Sequence, residues 1–133
     1  MNNQRTSLTL LLTLVGAFVT GPVLAGCGSD CIAIYLPPDN MPPEVDKQEL
    51  TVAGGTGFSM ELSGESPVRI DFGDRTPVVN PGGQLVYRFI VNPGAQRLDV
   101  VEECDSDGCE YKYSVAEVNS DRPALDPVII IER

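Results

Sequence analysis

Beyond Lys47 the apolar residues recur at every second position, in short segments separated by glycine and proline. That is the period of a strand with one buried face. Phe58, Met60 and Leu62 alternate with polar partners, and Val68, Ile70 and Phe72 do the same. Leu85, Tyr87, Phe89 and Val91 form a third such face, backed by Val86, Arg88 and Ile90. After a turn at Asn92-Pro93-Gly94 comes a run centred on Leu98 and Val100, then the turn Asp105-Ser106-Asp107-Gly108, then Tyr111, Tyr113 and Val115. No stretch keeps a helical period. About six strands at this spacing predict an all-β, immunoglobulin-like β-sandwich.

The two flanks of that region follow other patterns. Ile32, Ile34 and Leu36 alternate with Ala33 and Tyr35, as a short edge strand would. The same residues sit in a segment holding Pro37-Pro38 and Pro42-Pro43, a composition that favours an extended spacer. Both readings stand. At the other flank, Val128-Ile129-Ile130-Ile131 predicts either a strand buried on both faces or an exposed edge that adds a strand from a partner.

The first residues carry a third pattern: a polar start with Arg5, an apolar stretch from Leu8 to Val19, a break at Gly21-Pro22, and Leu24-Ala25-Gly26-Cys27. The apolar stretch is shorter than the roughly 20 residues that span a bilayer as a helix. The whole resembles a bacterial lipoprotein signal with its lipobox. That resemblance implies a diacylglycerol on the Cys27 sulfur, cleavage before Cys27 and acylation of the freed amine. At about 0.8 kcal/mol per buried methylene, two or three chains hold a protein on a membrane. Gly28 follows the anchor where an aspartate would retain a lipoprotein on the inner membrane, so the resemblance implies the outer membrane. The competing reading is an ordinary secretory signal whose first cysteine pairs in a disulfide. The expected organisation is a signal over 1–26, a lipid anchor and proline-rich tether over 27–46, a sandwich over 47–118 and a tail over 119–133 that includes a candidate final strand.

Composition narrows the function classes. Without residues 1–26 the chain holds nineteen Asp and Glu against eight Lys and Arg, a net charge of −11. Such a surface repels phosphate backbones and anionic lipid heads, so neither nucleic acid nor a polybasic membrane contact is expected. Histidine is absent, which removes the commonest general base and the commonest zinc ligand. Four cysteines point to an oxidising compartment. Cys104 and Cys109 enclose a turn and lie within disulfide reach across a hairpin, a bond that would contribute about 2 kcal/mol. With Cys27 assigned to lipid, Cys31 remains as a free thiol or an intermolecular link, and pairing with Cys104 or Cys109 also stays open.

Val68-Arg69-Ile70-Asp71-Phe72-Gly73-Asp74, then Tyr87-Arg88-Phe89, then Pro93-Gly94 opening a strand, then Asp105-Ser106-Asp107-Gly108-Cys109, together resemble the PKD module of bacterial surface proteins. The likeness covers about residues 47 to 118. Ile70 stands where that family usually has tryptophan, Arg75 replaces a glycine, and the family's histidine is missing. The resemblance implies an immunoglobulin-like sandwich used for binding, adhesion or spacing, without one shared chemistry.

Candidate sites follow from the acids and aromatics. Asp71 and Asp74 either hold their turn or supply oxygen ligands to calcium. Glu102, Glu103, Asp105, Asp107 and Glu110 form a run without a base, in which Asp105 and Asp107 imitate the opening of a calcium loop while the later ligands fall out of register. Glycosidase chemistry would need a cleft with facing carboxylates that a domain this small rarely builds. Tyr111 and Tyr113 share one strand face, as core or as part of a binding surface. The expectation is a non-enzymatic envelope lipoprotein that binds protein or surface glycan or acts as a spacer, with no cofactor unless calcium. Its alternatives are a small subunit of an envelope secretion or assembly complex and a calcium-dependent adhesion module.

Overall fold

The computed structural model describes residues 26–132. The apolar signal and Leu24-Ala25 of the lipobox lie outside the described residues, which contain eleven strands and no helix. These are β1 (Cys31–Tyr35), β2 (Glu44–Val45), β3 (Glu49–Ala53), β4 (Gly57–Leu62), β5 (Val68–Asp71), β6 (Val78–Val79), β7 (Arg88–Val91), β8 (Gly94–Val100), β9 (Glu110–Lys112), β10 (Ser114–Glu117) and β11 (Val128–Glu132).

One layer is a five-stranded sheet in the order β2-β1-β4-β8-β6. The facing layer consists of two three-stranded sheets, β9-β11-β3 and β10-β5-β7, joined because β9 and β10 are one run of chain interrupted only at Tyr113. Pairing is antiparallel except for β1 beside β4 and β11 beside β3, which run parallel. The alternation read in the sequence sets which side chains meet between the layers. Phe58, Met60 and Leu62 come from β4, Val68 and Ile70 from β5, and all are buried. Ile32 and Ile34 of β1, Ile129 and Ile131 of β11, and Tyr111, Tyr113 and Val115 join them in one core. A sandwich of this kind is the expected all-β class.

Three expectations change in the folded chain. The stretch 27–46 is not a free tether: β1 lies inside the five-stranded sheet between β2 and β4, with Ile32 and Ile34 completely buried. The prolines are confined to the connection that returns from β1 to β2, so they do not interrupt either strand. The face from Leu85 to Val91 is broken, since Leu85 and Tyr87 are exposed and Val86 packs against the core. Here the chain crosses between sheets: the Val86 amide donates to the Val78 carbonyl in one layer, and one residue later the Tyr87 carbonyl accepts from the Phe72 amide in the other. The cysteine-bounded turn joins β8 to β9 in opposite layers, so it is a connection between sheets and not a hairpin. Of the two readings of Val128–Ile131, the structure takes the sheet strand: β11 lies between β9 and β3, inside its sheet and away from the edge.

The crossing from β3 to β4 depends on a close approach. A Cβ on Gly54 would run into the Glu102 backbone carbonyl, while the Gly54 and Gly55 amides donate to the carbonyls of Glu132 and Val101. Only glycine leaves room for that contact.

Candidate functional site

The first cysteine of the fold lies where the chain enters β1. Gly28 has a φ of +118°, a conformation that lets the backbone double back, and Cys27 and Cys31 come within 5.5 Å at their Cα atoms and are joined by a disulfide. Cys31 is therefore neither a free thiol nor an intermolecular link in this structure; the short turn brings a partner to it in its own chain. A sulfur in a disulfide cannot at the same time carry a thioether, so the structure and the lipid anchor assign different bonds to one atom of Cys27. A carboxylate oxygen of Glu61 lies within 4.8 Å of both sulfurs, the only such group of three metal-ligating side chains among the described residues. While the sulfurs are bonded to each other they are not thiolates, the form in which cysteine binds metals.

Hydrogen bonds beside that disulfide also hold β1. The Ser59 amide donates to the Asp30 carbonyl (2.9 Å), the Ala33 amide to Asp46 Oδ1 (2.8 Å), and Lys47 Nζ to the Cys31 carbonyl (2.7 Å).

Five acidic residues gather from the end of β8 to the start of β9, and the structure engages the carboxylate of Asp105 among them. Arg75 Nε and Nη2 donate to the two oxygens of Asp105 at 3.2 and 2.6 Å, and Arg75 also donates to the carbonyls of Gly108 and Glu110. Its guanidinium lies 4.5 Å from the centre of the Tyr111 ring, whose hydroxyl accepts from the Asp105 amide. The Asp105 carboxylate accepts in addition from the Asp107 amide, and Cys104 is bonded to Cys109 across the same turn. Hydrogen bonding from Arg75 holds the Asp105 carboxyl below its usual range and raises the Arg75 guanidinium in return.

Asp71 is likewise engaged. Its Oδ1 accepts from the Gly73 amide at 2.7 Å and its Oδ2 pairs with Arg88 at 3.1 Å. The Gly73 amide is the larger cause and Arg88 a smaller one in holding the Asp71 carboxyl below the usual range. Gly73, at φ +72°, makes the turn that allows this bond. Asp74 and Asp107 border a shallow cleft with Arg75, Glu110 and Lys112. The four candidate calcium ligands Asp71, Asp74, Asp105 and Asp107 do not converge: no three of them bring their oxygens within 4.8 Å of one another.

The tyrosines belong to the core. Tyr111 is 1% and Tyr113 3% exposed, and the Tyr113 ring lies 5.1 Å from that of Phe72. The Tyr113 hydroxyl has no hydrogen-bond partner, and its burial, with Asp46 adding, pushes its pKa up.

One cross-link was not anticipated. Arg122 donates from Nε to Glu117 at 2.8 Å and from Nη1 to the carbonyls of Pro37 and Met41 at 2.5 and 2.8 Å. Only the five-residue spacing from Glu117 to Arg122 hinted at it; the two carbonyls are more than eighty residues away in sequence. The charge pattern likewise held no sign that Arg75 would reach across to Asp105. No family model, no curated protein and no solved structure matches this chain.

Proposed function

We propose that this chain is a lipid-anchored protein of the bacterial envelope, whose β-sandwich is a non-enzymatic, PKD-like module for binding a protein or glycan. The observation that carries this reading is the sequence Leu24-Ala25-Gly26-Cys27 placed shortly before β1, the first strand among the described residues. With β1 starting at Cys31, the sandwich would stand only four residues from the lipid, within about 14 Å of chain. The spacer role of 27–46 then falls away, and the module sits close to the membrane surface.

The thioether on Cys27 would replace the bond to Cys31, and the hydrogen bonds of Ser59, Ala33 and Lys47 would keep β1 in register without it. A net charge of −11 supports a partner that is neutral or basic. The absence of histidine and the engagement of Asp71 and Asp105 by arginines support a role without catalysis. The test is the intact mass of the protein purified from bacterial membranes without reducing agent. A diacylglycerol-type gain at Cys27, with only the Cys104–Cys109 disulfide intact, is the expected result. An unmodified chain with both disulfides would make it a soluble secreted sandwich. A melting temperature that rises with millimolar calcium would instead favour the adhesion alternative.

A further inference from the structure

Among the described residues the large apolar side chains left exposed are Met41, Leu85, Tyr87 and Ile90, and the last three fall within six consecutive positions. Ile90 lies on β7, the terminal strand of the sheet β10-β5-β7, and Leu85 and Tyr87 belong to the crossing that leads into it. Several other terminal strands among the described residues are short or polar. β2 and β6 are two residues long, and β3 turns Glu49, Thr51 and Ala53 to solvent. β7 contains no acid and no proline.

The register identifies which backbone groups of β7 are unused. Phe72 and Tyr87 stand opposite each other in the continuation of the β5–β7 ladder, and the Phe72 amide donates to the Tyr87 carbonyl at 2.8 Å. Hydrogen-bonded pairs alternate along an antiparallel ladder, so Ile70 with Phe89 and Val68 with Val91 are also bonded pairs. The amides and carbonyls of Arg88 and Ile90 therefore point away from β5, toward the open side. No backbone hydrogen bond from another described segment reaches them.

We propose that β7 pairs antiparallel with β7 of a second copy of this chain, about a two-fold axis through Phe89. This register sets Arg88 opposite Ile90 of the partner copy and Ile90 opposite its Arg88, each a bonded pair that uses the four open backbone groups. Like charges do not meet across the seam. Arg88 is already neutralised by Asp71 in its own chain at 3.1 Å, and the acids that give the protein its charge lie elsewhere. A foreign strand would need to match the same four groups, whereas a second copy supplies the match by symmetry. Four residues per strand make a small contact, so the dimer is a weak one, with Kd in the micromolar to millimolar range.

The experiment is sedimentation equilibrium of the chain from residue 27 onward, which contains every strand among the described residues, from about 10 μM to about 1 mM. Dimerisation in that range is expected, with amide exchange at Arg88 and Ile90 slowing as concentration rises. Ile90→Lys puts a cation opposite the partner's Arg88 and should weaken the dimer roughly tenfold or more, while Ile90→Glu puts an anion there and should tighten it. Ile90 is 42% exposed, so both variants should melt near the wild type. A monomer at about 1 mM would overturn the proposal. So would equal weakening by both variants, which marks a contact made through the Ile90 side chain and not the proposed strand register.

Discussion

Two arginines hold distant parts of this chain together, and they do so under different conditions. Arg75 clamps the connection between β8 and β9 through Asp105 and two carbonyls, with 29% of its side chain and 46% of that of Asp105 exposed. Arg122 ties the connection after β10 to Glu117 and to the proline-rich loop at Pro37 and Met41, with 13% and 17% exposed. The Arg75 clamp is duplicated by the Cys104–Cys109 disulfide around the same turn; the Arg122 clamp has no covalent duplicate. An ion pair in water is worth little, and one shielded from water, with further carbonyls to satisfy its donors, is worth more. Arg122 therefore carries more of the fold than Arg75, although both make the same kind of contact.

The largest effect should come from Arg122→Ala, which leaves two loop carbonyls without a donor and frees the segment between β1 and β2. A loss of about 2 kcal/mol in chemical denaturation is expected. An effect no larger than that of Arg75→Ala would break the comparison. Replacing Cys104 and Cys109 with serine should cost about 2 kcal/mol by loop-closure entropy. That loss should make the turn dependent on Arg75. Arg75→Ala should lower the melting temperature only slightly with the disulfide present and clearly more without it, a non-additivity that a double-mutant cycle measures.

Acid sharpens the same contrast. Arg122, and after it Ser120, hold the Glu117 carboxyl below its ordinary value. A carboxyl whose folded pKa is depressed contributes stability above its unfolded value and loses that contribution as pH falls through the folded one. Denaturation midpoints should thus fall below about pH 4.5, and the Arg122→Ala chain should show a flatter acid limb. The smallest effect is expected at Tyr113. Tyr113→Phe removes a buried hydroxyl that has no partner, and should leave stability unchanged or raise it by about 1 kcal/mol.

Much of the fold was legible in the chain. The period-two runs at Phe58–Leu62 and Val68–Phe72 state which side chains face the core, because strand geometry alone decides that alternation. The same rule failed at Leu85–Tyr87, where the chain changes sheets and the ladder partner, not the local pattern, decides which side is buried. The Cys104–Cys109 pair was readable because the turn between them brings the two cysteines together within six residues. The partner of Cys31 was not, since the lipobox resemblance gives the nearer Cys27 to lipid and the turn at Gly28 is visible only in three dimensions. The candidate calcium ligands were read from spacing, and spacing holds no information about the arginines that engage Asp71 and Asp105 from 17 and 30 residues away.

The sequence by itself determined the all-β class, the acidic surface and the short-range pairing of Cys104 with Cys109, since each follows from local alternation, charge count or a short loop. Only the tertiary structure decided that β1 joins the interior of a sheet, that Arg122 secures the proline loop, and that β7 is left with an open edge. These depend on which segments distant in the chain become neighbours, and strand pairing across a sandwich is a long-range choice that local pattern does not encode.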